Sequence, residues 1–392
     1  MQTDTAAATR LMIDFAARTG VSSDAEPRRY LWTDAFALMN ALDLYRETGA
    51  ARWRDLAVAL VDQVHNVLGR HHPDDARTGW LSGLPEGEGA CHPTIGGLRI
   101  GKPLPERGSA EPEDERLEWD RDGQYWHYLT KWMDALSRAA ILLDEPRYQA
   151  YAEELARAAF SSFLQTGAAG RPVGLAWKMS VDLSRPQVAG ISPHDALDGY
   201  VTFRWLGRTG TTSKLADETA ILRLLAGDRS WATADPLGLG GLLLDAFRLA
   251  LLPDRHEEDA RLIAAVISDV DAGLLRFFHQ DTLALPADRR LGFRELGLAI
   301  GFQTLPPTAT AAKAQPDLAR SIAPSLDRLR ARADIGQRII SFWSDPKKRQ
   351  APNWQDHRDI NEVMLATALL DAFIGTAISG QERPASEEPK QA

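Results

Sequence analysis

The sequence predicts an all-α fold, a closed (α/α)6 toroid of about six helical hairpins with a long loop insertion after the first. Six helix-length apolar segments recur, beginning near Asp34, Asp122, Asp198, Gly240, Glu295 and Asn361. Most are followed by a second, more charged helix, so that one member of each pair is apolar nearly all round and the other along one stripe, which makes an inner and an outer layer. Alternating β-branched runs joined by tight hairpin turns do not recur, so a sheet core is not expected.

The first copy runs from Trp32 through Met39, Leu42 and Tyr45 to a break at Thr48-Gly49. Arg52-Trp53 then opens an outer helix to about Leu68, with Leu56, Ala59, Leu60, Val64 and Val67 at three- and four-residue steps. The second runs from Gln124 through Trp132 and Leu136 to Asp144-Glu145-Pro146, and Arg147-Tyr148 opens its outer helix to about Phe163. Later copies pair Asp198–Leu206 with Ser213–Leu225, Gly238–Leu252 with Glu257–Phe278, and Phe293–Leu305 with a helix from about Leu318 into Trp343. Asp359–Ile374 is the last inner helix, and the amphipathic segment Thr5–Thr19 is the spare outer helix that closes the ring. Residues 1–380 form one domain in this reading, and the Glu-, Pro- and Lys-rich tail 381–392 is disordered.

Residues 71–119 depart most from the repeat. They are rich in Gly, Pro and charge, yet Trp80, Leu84, Ile95 and Leu98 give them apolar residues to pack over the ring, so the segment is expected across the cavity mouth.

A chain of 392 residues that is 44% hydrophobic buries a large core, and a closed ring spreads that core around a circle. A net charge of -9 argues against a nucleic-acid partner. The Met-Gln-Thr-Asp start lacks the features of a signal peptide, no run is long and uncharged enough to span a bilayer, and Cys91 has no partner for an internal disulfide; a cytoplasmic protein with no membrane partner is expected.

Several apparent motifs lack their chemistry. Gly96–Lys102 has phosphate-loop spacing, but Pro103 stands where a magnesium-binding hydroxyl is needed and no strand precedes it. His71-His72 and Cys91-His92 have no second pair at zinc spacing. Asp120-Arg121-Asp122-Gly123 lacks the paired final aspartates of an alkene-protonating cyclase. No metal and no cofactor are expected.

Three clusters fall where a loop becomes an inner helix. The first, Glu118 to His127, holds Asp120, Asp122, Gln124, Trp126 and His127. Such a mixture suits a sugar, whose hydroxyls need dense donors and acceptors while its C–H faces stack on aromatic rings; the plain structural alternative is an aspartate capping a helix above core aromatics. The second joins Trp177 and Lys178 to His194, Asp195 and Asp198, where crowded carboxylates raise one another's pKa and suit an acid held beside a base. The third contains Trp354, His357 and Glu362, the last also readable as an ordinary first-turn residue favoured by the helix dipole. Trp32 and Asp34 hold the corresponding place in the first copy.

With this hairpin order and these Trp, Asp, His and Glu positions, the chain from Arg29 to Ile378 resembles the six-hairpin glycosidase superfamily, and more weakly the N-acylglucosamine 2-epimerase type of sugar epimerase. The resemblance implies a small saccharide in a central cavity with acid/base residues on the loops entering the inner helices. Pro193-His194-Asp195-Ala196-Leu197-Asp198 is similar to the epimerases' proline- and histidine-containing stretch, with His357 the plausible match for a second histidine. The expectation is therefore glycoside hydrolysis by paired carboxylates, Asp122 and Asp198 first with Glu362 and Asp34 in reserve, and Trp32, Trp126, Trp177 and Trp354 as stacking platforms. The alternatives are a sugar epimerase or isomerase using His194 and His357, and a non-catalytic toroid that binds a saccharide or peptide.

Overall fold

A computed structural model describes residues 4–112, 114–209, 215–227 and 229–371. The protein is 65% helical. Six nearly all-buried helices, Leu31–Thr48, Trp126–Leu142, Pro193–Thr209, Pro236–Leu251, Gly292–Gln303 and Arg358–Leu370, are the first to sixth inner helices. Each packs on the next and the sixth packs on the first, so the circle closes.

An outer helix backs each member: Ala51–Leu68, Pro146–Phe163, Ala216–Ala226, Glu257–His279, Asp334–Ser344 and, behind the sixth, the N-terminal Thr5–Arg18. That last pairing is fixed by Arg18, which reaches Asp359 and Glu362 at 2.7 Å, and by the Asp4 amide donating to the Leu369 carbonyl at 3.1 Å. Local signals set the helix ends. Gly49 takes a left-handed φ of 65° that ends the first inner helix, Pro146, Pro236 and Pro316 occupy opening turns where no N–H is needed, and Asp235 accepts from the Gly238 amide at 2.8 Å.

The single helix expected from Leu318 into Trp343 is two, Pro316–Arg330 and Asp334–Ser344. The break lets each face a different partner: Leu318, Ile322, Leu326 and Leu329 are buried on the helix that packs on Glu257–His279, and Ile335, Ile339, Ile340 and Trp343 on the one that backs the fifth inner helix. The expected tail 381–392 and the start of the third outer helix at Ser213 lie outside the described residues. Two short antiparallel pairs, Gln124–Tyr125 with Lys178–Met179 and Leu164–Thr166 with Pro172–Leu175, make up the named strands.

The fourth and fifth inner helices approach closely, and a Cβ at Gly240 would fall 2.0 Å from the Gly297 carbonyl oxygen. The insertion threads between the first two hairpins: Ile100 donates to the Gly123 carbonyl at 2.8 Å and accepts from the Leu31 amide at 3.0 Å. Trp80 and Leu98 are buried there as expected, whereas Ile95 is exposed.

Candidate functional site

The inner helices all aim their N-terminal ends at one cavity of about 1340 Å³. Trp32, His127, His194, Leu237, Phe293 and Asp359 contribute in turn, one from the start of each inner helix. Six helix dipoles therefore converge on this space, an electrostatic setting that favours negative charge at the helix starts. His72, Arg99, Gly101, Lys102, Trp119 and Asp120 add a wall from the insertion.

On the floor, three adjacent inner helices bring a charge cluster together. Lys131 Nζ donates to Asp198 Oδ1 at 2.5 Å and the Thr130 hydroxyl donates to Asp198 Oδ2, so both carboxylate oxygens are held. Asp245, one helix further on, lines the same floor, and its Oδ1 is buried without a hydrogen-bond partner among the described residues. Burial, reinforced by the charge of Asp198, pushes Asp245 up to about 8 against the opposing pull of Lys131 and Arg248. Asp245 is thus a carboxyl that keeps its proton near neutral pH beside an ion-paired carboxylate.

Around the floor stand three histidines. His194 is pushed below the usual imidazole range by burial and lies 6.1 Å from the Trp231 ring. His127 stacks on Tyr125 at 5.4 Å and approaches Asp195 Oδ1 at 3.5 Å, while Asp195 Oδ2 has no hydrogen-bond partner among the described residues. His357 stacks on Phe293 at 5.6 Å.

Of the residues singled out from the sequence, Trp32, Asp120, His127, Trp177, His194, Asp195, Asp198 and His357 line the cavity. The others do not, each for a visible reason. Asp122 faces the insertion, where it pairs with Arg99 and accepts from the Gly101 and Gly123 amides at 3.0 Å each. Its pairing with Asp198 across one substrate bond is therefore corrected: every Asp122 oxygen is engaged in holding a turn. Asp34 is buried against Arg29 at 3.2 Å and the Tyr30 amide at 2.8 Å, and burial pushes it up to about 6. Glu362 is clamped between Arg18 at 2.7 Å and Arg358 at 2.8 Å.

Gln124 is a buried strut that accepts from the Leu98 amide at 2.8 Å and donates to the carbonyls of Gly96 and Val181. A Cβ on Gly97, whose φ is +78°, would collide with that amide at 2.1 Å, which accounts for the glycine-rich run better than a phosphate does. Trp126 is buried over Gly199 and donates to the Asp195 carbonyl at 2.8 Å, so it positions the floor rather than a ligand. Trp354 is buried against Trp343 at 4.9 Å, and Lys178 is buried beneath residues 118–121.

Asp245, Lys131 and Trp119 were not singled out as site residues from the sequence. A charge interrupting an apolar inner helix, as Asp245 does between Leu244 and Ala246 and Lys131 does between Thr130 and Trp132, was the available signal.

The closed double ring of helices with its cavity at the inner N-termini is an α/α toroid. Among solved structures the fold is similar to an alpha-mannanase of Bacteroides thetaiotaomicron, with TM-score 0.55 and 10% identity over 94% of this chain and 96% of that one. It is similar also to cellobiose 2-epimerase of Spirochaeta thermophila, with TM-score 0.52 and 11% identity over 90% and 87%, and to a D-mannose isomerase, with TM-score 0.51 and 10% identity over 93% and 96%. No protein-family model matches the sequence, and no curated protein matches it by sequence.

Proposed function

We propose that the protein is a carbohydrate-active enzyme that hydrolyses a glycosidic bond in this cavity, with Asp245 as proton donor and Asp198 as its partner. The observation that carries the reading is the unequal carboxyl pair: one group lifted to about 8 by burial and a neighbouring charge, the other ion-paired with Lys131. In this scheme the Asp245 proton passes to the glycosidic oxygen as the C–O bond breaks. Water adds to the anomeric carbon and delivers a proton to a carboxylate, so the pair ends with its protons restored. The aromatic wall of Trp32, Tyr125, Tyr128 and Trp177 supplies faces for sugar C–H groups. Three proteins of this fold named for sugar chemistry, a mannanase, an epimerase and an isomerase, agree with a saccharide ligand.

Reducing-sugar release from a panel of α- and β-linked oligosaccharides tests the reading, with Asp198→Asn and Asp245→Asn as controls. Hydrolysis by wild type that is lost in both folded variants supports it; hydrolysis that survives both removes the assignment.

A second reading rests on the histidines. His194, held neutral by burial on the cavity wall, is available as a base, with His357 on the sixth inner helix as a second proton carrier, and together they suit epimerisation or isomerisation of a reducing sugar. Incorporation of solvent deuterium into a sugar without bond cleavage identifies this chemistry instead. Binding of the same panel with neither reaction identifies a receptor.

A further inference from the structure

Aromatic rings run in an unbroken path along one wall of the cavity. Trp32 meets His127 at 6.1 Å, His127 stacks on Tyr125 at 5.4 Å, Tyr125 meets Trp177 at 5.1 Å, and Trp177 meets Trp119 edge-to-face at 5.0 Å. All five line the cavity. Exposure is greatest at one end of the path: Trp32 and Tyr125 are buried, His127 and Trp177 are half-buried and Trp119 is 51% exposed, so the series ends at the rim.

Trp119 is anchored on a fixed turn. The buried Lys178 ammonium donates to the carbonyls on either side of it, Glu118 at 2.7 Å and Arg121 at 2.9 Å, and Arg107 holds the Glu118 carboxylate at 2.7 Å. A buried cation thus presents a large indole to water, an arrangement that carries a hydration penalty and that a ligand covering the ring would relieve. Polar capacity is interleaved with the rings. Tyr125 Oη and Trp32 Nε1 are buried with no hydrogen-bond partner among the described residues, and Asp120 and Lys102 stand beside the path on the cavity wall. An apolar ligand would leave those groups unsatisfied, whereas a hydroxyl-rich ligand with apolar faces satisfies both kinds of surface. The cavity also exceeds the roughly 300–1,000 Å³ typical of sites for a single compact ligand.

We propose that this path is an extended site for an oligosaccharide longer than a disaccharide, with Trp119 as the outermost stacking platform. The proposal rests on the saccharide reading above and adds chain length and direction to it: one end of the ligand lies at the Asp198–Asp245 floor and the other leaves over Trp119. Trp119 acts by binding distal units and takes no part in bond cleavage.

The test measures kcat/KM, and Kd by calorimetry, for β-1,4-linked gluco- and manno-oligosaccharides and α-linked manno-oligosaccharides from the disaccharide to the hexasaccharide. Wild type should favour longer chains within the series it accepts. Trp119→Ala should lower the tetrasaccharide-to-disaccharide ratio of kcat/KM by about three- to tenfold, the size expected for one stacking contact. Trp119→Phe, which keeps a ring, should restore most of that ratio. A wild-type profile that is flat with length, or a Trp119→Ala variant that lowers every length equally, overturns the extended site while leaving the saccharide reading in place. If no oligosaccharide of any length is bound or cleaved, the saccharide reading falls and the extended site falls with it.

Discussion

Asp245 on the fourth inner helix and Asp198 on the third are one electrostatic unit: burial and the charge of Asp198 lift Asp245 to about 8, while Lys131 opposes that shift and holds Asp198 directly. Neither residue has this character alone. Their difference arises because the ring brings the first two turns of the second and third helices and the middle of the fourth to one floor.

Asp245→Asn and Asp198→Asn should each reduce turnover by about a hundredfold to ten-thousandfold, the range for loss of a general acid or base. Far-UV circular dichroism should be unchanged in Asp245→Asn, since the amide fills the same space. Turnover within tenfold of wild type in either variant would move the chemistry elsewhere.

A second expectation concerns pH. The Asp245 carboxyl rises from its ordinary value of 3.8 to about 8 on folding, so between those values the folded state binds more protons than the unfolded one, and stability is lost as pH rises through that window. Asp34 and Asp43, each lifted to about 6 by burial, act in the same direction over the lower part of it. Urea denaturation from pH 5 to pH 8 should show Asp245→Asn gaining on wild type as pH increases; parallel curves would contradict the shift.

His65 acts in the opposite sense. It is buried on the first outer helix, where its Nε2 accepts from Trp132 Nε1 at 3.2 Å, and burial pushes it down from 6.5 to about 3. Its contribution is fully present above 6.5 and is lost as pH falls toward 3. His65→Gln should flatten the acid limb of the stability profile, read as melting temperature from pH 6.5 down to pH 4.

Asp122→Ala should destabilise the protein by about 3–5 kcal/mol, because it leaves the Arg99 guanidinium buried without its carboxylate. Turnover per folded molecule should stay within tenfold of wild type. A stable but inactive Asp122→Ala variant would reinstate that residue as a catalytic group.

The architecture was legible where apolar periodicity ran long. All six inner helices are present at the predicted places, and the N-terminal helix fills the expected gap. His194, Asp195, Asp198 and His357 were legible for the same reason, since a polar group at the start of an inner helix points into the space those starts surround. Side-chain direction in the loops was not. Asp122 turns outward because Arg99, more than twenty residues earlier, lies against it, and no local pattern encodes that meeting. Nor does any local pattern encode the setting of Asp245, which comes first from burial in the closed ring and then from charges on neighbouring helices.

At the contact between the fourth and fifth inner helices, Gly240→Ala would place a methyl group 2.0 Å from the Gly297 carbonyl oxygen, where backbone has to move. A loss of about 3 kcal/mol or more is expected in denaturant titration, at the upper end of overpacking costs. A loss below 1 kcal/mol would mean that the two helices separate readily.

The pairing of Thr5–Arg18 with Arg358–Leu370 has a consequence for biosynthesis. The helix Thr5–Arg18 carries Ala8, Leu11, Met12 and Phe15 on the face it will bury, yet the helix that covers that face is translated more than three hundred residues later. Four hairpins have sequence-adjacent halves and are able to form as they emerge, the fifth has Pro316–Arg330 between its halves, and the sixth has to wait for a loop closure spanning more than three hundred residues. During that interval an apolar stripe stands open on the nascent protein, a surface suited to a chaperone and prone to pairing with the same stripe on a neighbouring chain.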